Sequence, residues 1–166
     1  MSNIEHEEKA RRSLKLGVLT LSDSRSQDQD VSGKIICELL KGEGHLILRY
    51  DLIKEDPVLI ENTLRFFISE DVDAIISNGG TGLTSRDGTI EVARKLLQKE
   101  LPGFGELFRL VSYNQIGPAA MLSRATAGLV DGKILICLPG SSKGVKLAMK
   151  RLVLPQLCHM VWEAGR

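Results

Sequence analysis

Thirteen residues, Ser77 to Thr89, read SNGGTGLTSRDGT and hold four glycines, three threonines, two serines and one Arg-Asp pair. That composition has the chemistry of an anion cradle. Glycines let backbone N–H groups converge without Cβ obstruction, hydroxyls add donors, and a following helix contributes the positive end of its dipole. Two further segments are similar: Ser22-Asp23-Ser24, and Pro139-Gly140-Ser141-Ser142-Lys143-Gly144, in which Lys143 would add a point charge. Each is also explained as a tight turn after a strand, but several such loops at one sheet end favour a ligand pocket. Asp87 has two readings. A carboxylate beside a phosphate cradle would hold Mg²⁺, yet an Asp before a helical stripe is more often an N-cap, and position alone favours the cap. Arg86 is either a bidentate phosphate clamp or a solvated loop charge. Asp56 is accounted for as the cap of an Asp-Pro helix start, whereas Glu55 has no such duty and is free to face a cleft.

Other motifs fail on context. VSGKII has Gly-Lys, but Asp28 stands five before Gly33 and Ile35 replaces the Ser or Thr that would touch Mg²⁺, so it is no Walker A loop. GSSKG, 140 to 144, fits G-x-S-x-G between a strand and a helix, but no Asp or Glu lies between Ser142 and His159 to complete a triad in the required order. No CxxC, HExxH or His-rich cluster appears, so a protein-made transition-metal site has no support. His45 reads as a strand-start residue, and His6 and His159 as surface residues near the ends.

The elements that must position these loops follow from hydrophobic period. LGVLTL (16 to 21), DAIIS (73 to 77) and KILICL (133 to 138) read as buried strands, and HLILRYDLI (45 to 53) as a strand nearer an edge. Between them lie helical stripes: Ile36, Leu39 and Leu40 after a Ser32 cap, stopping in Gly42-Glu43-Gly44; Ile60, Leu64, Phe67 and Ile68 after Asp56-Pro57; and Ile90, Ala93, Leu96 and Leu97 after the opening segment. A further helix starts at PGFGELFR, and a last one from Ser142 carries Val145, Met149 and Leu152 before Pro155, which should kink or restart it. Asp131-Gly132 between two apolar runs predicts a hairpin. Alternating strands and helices imply an α/β sandwich, mostly parallel with an antiparallel addition. In an open sheet of this kind ligands sit beyond the carboxyl ends of the strands, where all three Gly/Ser-rich loops fall.

Composition narrows the function. The chain has 166 residues, 43% of them hydrophobic, with Lys+Arg 22 against Asp+Glu 21. A balance near neutral lacks the footprint of a general nucleic-acid or membrane-surface binder. Cys37, Cys137 and Cys158 are odd in number and set in apolar segments, which predicts a reducing, cytoplasmic setting. The start, MSNIEHEEKARR, is too charged for a signal peptide, and no apolar run nears the roughly 18 residues of a membrane span. Residues 1–14 read as a tail and 15–166 as a single domain.

Taken in series, GGTG with LTSRDGT, then PGFGELFR, SRATAG and LPGSSKGV, spread from about Lys15 to Trp162, resemble the MoaB/MogA family of molybdenum cofactor biosynthesis. That family includes molybdopterin adenylyltransferases and the G domain of gephyrin, and the chain stands nearer its MoaB side. The resemblance implies a three-layer α/β/α fold, assembled as a homotrimer or hexamer, that binds molybdopterin at the carboxyl end of its sheet. In catalytic members the terminal phosphate of molybdopterin attacks the α-phosphate of Mg-ATP, giving adenylyl-molybdopterin and pyrophosphate. Carried over by position, Gly79, Gly80, Thr81 and Gly82 match the GGTG loop, and Ser22, Asp23 and Ser24 the first-strand loop. Ser141, Ser142 and Lys143 match a PG-x-P-K loop, with Ser142 in place of proline. Asp87 matches one of two acids associated with catalysis, which displaces the reading of it as cap alone. Glu55 falls where the second acid is usually Asp, and a misplacement of about an ångström can cost roughly a hundredfold in rate. The resemblance therefore leaves two roles: an adenylyltransferase with Asp87 and Glu55 holding Mg²⁺, or a non-catalytic molybdopterin carrier.

Overall fold

In the computed structural model, which describes residues 13–166, the apolar runs become strands whose side chains alternate between two cores. Six strands, β1 (Lys15–Leu21), β2 (Leu46–Ile53), β3 (Ala74–Asn78), β4 (Lys99–Glu100), β5 (Thr126–Val130) and β6 (Lys133–Leu138), form one sheet in the order β2-β1-β3-β6-β5-β4. β2, β1, β3 and β6 are parallel, and β5 and β4 are added antiparallel. Leu16 and Val18, Ala74 and Ile76, and Ile134 and Ile136 face one core, while Leu19, Ile75, Leu135 and Cys137 face the other. Period two along each strand thus supplies both faces of a buried sheet. The first face is covered by helices α1 (Val31–Gly42), α4 (Pro102–Ile116) and α5 (Ser142–Ala148), the last running through a π-helical turn, Met149–Val153, into α6 (Leu154–Ala164). The second face is covered by α2 (Pro57–Ser69) and α3 (Thr89–Leu96). The architecture is the expected three-layer α/β sandwich, with β2 at the edge.

Local chemistry sets the boundaries. Asp56 caps α2, its Oδ1 accepting from the Leu59 N–H at 2.8 Å with Pro57 in the first turn, and Ile60, Leu64, Phe67 and Ile68 are all buried. Asp131 and Gly132, at φ 46° and 72°, make the two-residue turn of the β5–β6 hairpin. Pro155 lies in the first turn of α6, directly after the π-helical turn that links it to α5, so the chain restarts its α-helical ladder around the residue that lacks an N–H. The predicted cap of α1 is corrected: Asp30, not Ser32, accepts from the Gly33 N–H, at 3.0 Å, and Ser32 lies inside the first turn with its side chain turned to the sheet. A carboxylate just before the helix takes the orphan N–H, which frees the serine hydroxyl. β4 had no sequence signal, because two charged residues carry no apolar period.

Two residues expected in the tail are anchored. Ser13 donates its hydroxyl to the Gly44 carbonyl at 2.7 Å, and the N–H of the fully buried Leu14 donates to His45 Nδ1 at 3.2 Å. His45 is therefore a buried acceptor, and burial lowers its pKa. Residues 1–12, including His6, lie outside the described residues. His159 is half-buried rather than on the surface, Cys37 and Cys137 are buried free thiols, and no helix among the described residues is long and apolar enough to cross a membrane.

Gly17 of β1 shows how tightly the second core closes. A Cβ there would lie 2.7 Å from Cδ2 of Phe67, whose ring is itself buried in that core. Gly17→Ala should destabilise the protein by about 1–3 kcal/mol, seen as a lower urea midpoint with an unchanged slope; an unchanged midpoint would contradict this packing.

Candidate functional site

The chain leaves β1 to one side for β2 and returns on the other side for β3. Loops that leave two such strands part at their carboxyl ends, and the crevice between them is where an open α/β sheet takes its ligand. Here the crevice is a cavity of about 280 Å³, lined by Ser22 to Arg25 after β1, by Gly79 to Gly82 and Asp87 after β3, by Glu55, and by Gly140 after β6.

The Gly loop is held from several sides. Gly79 donates its N–H to the Leu138 carbonyl at 3.0 Å and accepts at its own carbonyl from Thr89 Oγ1, also at 3.0 Å; Thr89 N–H donates to the Gly80 carbonyl at 3.1 Å. Ser22 shapes the opposite wall, its Oγ accepting from the N–H groups of Ser24 and Arg25 at 3.4 and 3.2 Å.

Asp87 does not cap α3. The N-cap position is Gly88, and the Asp87 carboxylate turns back into the loop, accepting from Thr84 N–H at 2.9 Å and Thr84 Oγ1 at 2.6 Å. The cap favoured by position is thus corrected, because the loop's own donors lie nearer than the helix N-terminus. Burial works upward on its pKa, but hydrogen bonds from Thr84 and from the Gly82 N–H, with Arg124's charge behind them, hold it below the usual carboxylate range. Glu55 moves the other way. Burial first, then the charges of Asp23 and Asp87, raise its pKa against the pull of Arg86 and Arg25. Of the three carboxylates that line the cavity, Asp23, Glu55 and Asp87, the last two shift in opposite directions, Asp87 toward a fixed anion and Glu55 toward a weaker acid that gains from a cation.

Arg86 is already paired, and a phosphate would have to compete with a carboxylate for it. It pairs with Asp23 Oδ2 at 2.5 Å with its side chain 68% exposed, and Asp23 Oδ1 accepts from the Glu55 N–H at 3.1 Å. The expectation that Ser141, Ser142 and Lys143 share this cavity is also corrected. They line a second cavity of about 330 Å³, set against Phe108, Ser112 and Ile116 of α4. The reason lies in the turn: Ser141 Oγ accepts from the Gly144 N–H at 3.1 Å as N-cap of α5, and the chain enters the helix before Lys143 can reach back. Only Gly140 of that loop meets the first cavity.

Two residues had no assigned role in the sequence. Arg124 donates Nε to the Thr81 carbonyl at 2.9 Å while its guanidinium pairs with Glu91, so it ties the Gly loop to α3. Its partners lie 43 and 33 residues away in the chain, beyond any local pattern. Arg25 lines the cavity and donates Nη1 to Ser32 Oγ at 3.2 Å and to the Gly140 carbonyl at 3.4 Å. A cation directly after Ser22-Asp23-Ser24 was the available signal.

A family model described as "Probable molybdopterin binding domain" (MoCF_biosynth) matches residues 17–159. The chain belongs to that family. It is 45% identical to the molybdenum cofactor biosynthesis protein B of Bacillus cereus over 168 aligned positions, covering 100% of this chain and 99% of that one. The structure of a tungsten cofactor synthesizing protein, MoaB from Pyrococcus furiosus, superposes with a TM-score of 0.86 at 34% identity, over 94% of this chain and 99% of that one. A Mog protein from Mycobacterium ulcerans shares the fold at 24% identity, with a TM-score of 0.84 over 93% and 99% of the two chains. Membership in this family, together with the 45% identity to a molybdenum cofactor biosynthesis protein B and the likeness to a MoaB of tungsten cofactor synthesis, places the protein in molybdenum or tungsten cofactor biosynthesis, on the MoaB side of the family. The GGTG loop and Asp87, which carry the resemblance, lie in the crevice at the carboxyl ends of β1 and β3.

Proposed function

We propose that the protein binds molybdopterin and adenylylates it with Mg-ATP. An oxygen of the molybdopterin terminal phosphate would form a bond to the ATP α-phosphorus, the bond from that phosphorus to the bridging oxygen would break, and pyrophosphate would leave with the electron pair. The observation that carries this reading is one polar cavity bringing the Gly79–Gly82 loop, Asp87 and Glu55 together, beside a second cavity with apolar walls. Phosphoryl transfer of this kind rests on positioning and charge stabilisation. The Gly loop and the Ser22–Ser24 loop would hold phosphate oxygens, and the cavity lined by Phe108 and Ile116 together with Ser141, Ser142 and Lys143 suits a planar heterocycle with polar edges.

The donor set fits Mg²⁺. Among the described residues no three His, Cys, Asp or Glu side chains form a metal cage, and Mg²⁺ is ordinarily held by one or two carboxylates plus substrate phosphates. Asp87 and Glu55 supply that pair, and a bound cation would offset the burial, and after it the Asp23 and Asp87 charges, that raise the Glu55 pKa. When bound, Mg²⁺ would neutralise and orient the triphosphate. We further propose a cytoplasmic homotrimer or hexamer, supported by the exposed apolar face of Leu107, Leu110, Tyr113 and Ile116 on α4 with Met121 and Leu122 beyond it.

The test is pyrophosphate release from Mg-ATP, expected only when molybdopterin is present. The carrier reading is favoured by one residue, Glu55 where Asp is usual, and predicts molybdopterin binding with no turnover once ATP is added. Glu55 also carries a stability prediction for the ligand-free protein. Its folded pKa lies above the unfolded value, so its contribution is full below the unfolded value and is lost as pH rises through the folded one. Glu55→Gln should therefore melt at a higher temperature than the native protein at pH 7, with the difference gone near pH 4 and reversed at pH 7 by Mg²⁺, which only the native carboxylate can use. Equal melting curves at both pH values would show that neither burial nor the neighbouring carboxylates penalise the Glu55 charge.

A further inference from the structure

Three arginines reach the crevice or its rim, and two are neutralised: Arg86 by Asp23 and Arg124 by Glu91. Arg25 differs. Both of its hydrogen-bond acceptors among the described residues, Ser32 Oγ and the Gly140 carbonyl, are uncharged, so its charge is steered without a hydrogen-bonded ion pair, and the carboxylate that feels it across the cavity is Glu55. A guanidinium has five N–H donors in a fixed plane, and these two contacts use one nitrogen, Nη1, leaving the rest of the fork for the cavity that Arg25 lines.

What aims Ser32 is a buried relay. Thr20 of β1, Asn78 of β3 and Ser32 of α1 are each no more than 1% exposed. Asn78 donates Nδ2 to Thr20 Oγ1 at 2.9 Å, which fixes its amide so that Oδ1 faces Ser32, and Ser32 donates to that Oδ1 at 2.7 Å. The Asp30 carboxylate, at 3.2 Å from the same hydroxyl, is itself held by Gly33 N–H and by the Tyr50 hydroxyl. A serine has one proton, and both inward acceptors compete for it. Its lone pairs are thereby left for Arg25, so the direction of the Arg25 contact is set from inside the sheet.

We propose that Arg25 is the phosphate-binding cation of this cavity and that Ser32 is its positioning residue, acting through the relay from Thr20 and Asn78. The inference rests on the reading of the crevice as a phosphate site and deepens it. It assigns the charge of that site to Arg25 rather than to Arg86 or Lys143, the two cations the sequence pointed to. Arg86 is paired with Asp23, and Lys143 lies against the other cavity.

The experiment is calorimetric titration of the full chain with inorganic pyrophosphate, using the native protein, Arg25→Ala, Arg25→Lys, Ser32→Ala and the double variant. Arg25→Ala should weaken binding about tenfold or more, the scale of a charge-assisted contact, with Arg25→Lys between it and the native protein because a point charge lacks the fork. Ser32→Ala should weaken binding about fivefold in the native background and leave the Arg25→Ala protein unchanged, since coupled residues are not additive. A role in folding alone would lower affinity by the same factor in both backgrounds, and that result would overturn the positioning role. Pyrophosphate bound equally by native and Arg25→Ala proteins would overturn the assignment of the cation while leaving the phosphate site intact. No binding by the native protein would overturn the phosphate site and this inference with it. Arg25 is exposed, so its variants keep the core untouched and decide the matter even if Ser32→Ala fails to fold.

Discussion

Asp87→Ala should lower molybdopterin adenylylation by about 10²–10³-fold, the range seen when one preorganised charge-stabilising group is removed from a reacting centre. Hydrogen bonds from Thr84 and Gly82 hold the Asp87 carboxylate below its usual pKa range, whereas that of Glu55 is raised, so of this pair Asp87 is the anion available to a cation at neutral pH. The substitution also removes an acceptor from Thr84 N–H and Oγ1, which would loosen the loop by about 1 kcal/mol. Asp87→Asn separates the two effects. Its amide oxygen can still accept from Thr84, so the loop keeps its shape while the charge is gone. Both variants should lose comparable rate in a pyrophosphate-release assay, and Asp87→Asn should keep the native melting temperature more nearly than Asp87→Ala. A native rate in Asp87→Asn would show that the residue only shapes the loop, and the role given to it here would fall.

Much of the scaffold was legible because period and caps act locally. LGVLTL and KILICL are the near-continuous apolar runs that a sheet buried on both faces requires, Asp56-Pro57 starts α2 by itself, and Asp131-Gly132 makes its hairpin turn within two residues. The loops of the crevice were legible too, since a strand order with a reversal sends Ser22 and Gly79 to one place. What escaped is set by contacts between distant residues. Arg124 finds Thr81 across 43 positions, and Arg25 finds Gly140 across 115. The errors have the same origin. Ser32 looked like a cap and Asp87 looked like a cap because both precede helical stripes, but each found a different partner: Asn78 on the neighbouring strand for the first, Thr84 in its own loop for the second. Ser141 to Lys143 were sent to the wrong cavity because sequence shows that a loop follows β6 and not where α5 turns it.

Gly79→Ala should cost about 3 kcal/mol or more of stability, summing a backbone held where L-residues strain with an overpacked contact, and should abolish pyrophosphate binding. Gly79 has φ +102°, and a Cβ built there would run into the carbonyl oxygen of Leu21, a backbone atom at the end of β1 that cannot rotate away. Relaxation by moving Gly79 itself is blocked as well. Its N–H is held by the Leu138 carbonyl and its own carbonyl by Thr89 Oγ1, and a side chain at Gly140 would already sit 3.2 Å from its Cα. Any shift large enough to admit a methyl group must therefore move the end of β6 or the start of α3, and with them the walls of both cavities. Gly103 is the control. It lies in the first turn of α4 with nothing within 4 Å of a Cβ and no positive φ, so Gly103→Ala should be neutral or stabilising by about 0.4–1 kcal/mol. Equal urea midpoints for the two alanine variants would mean that the Gly loop is not held as described, because the same added methyl group would then meet no more resistance at the floor of the crevice than on an open helix.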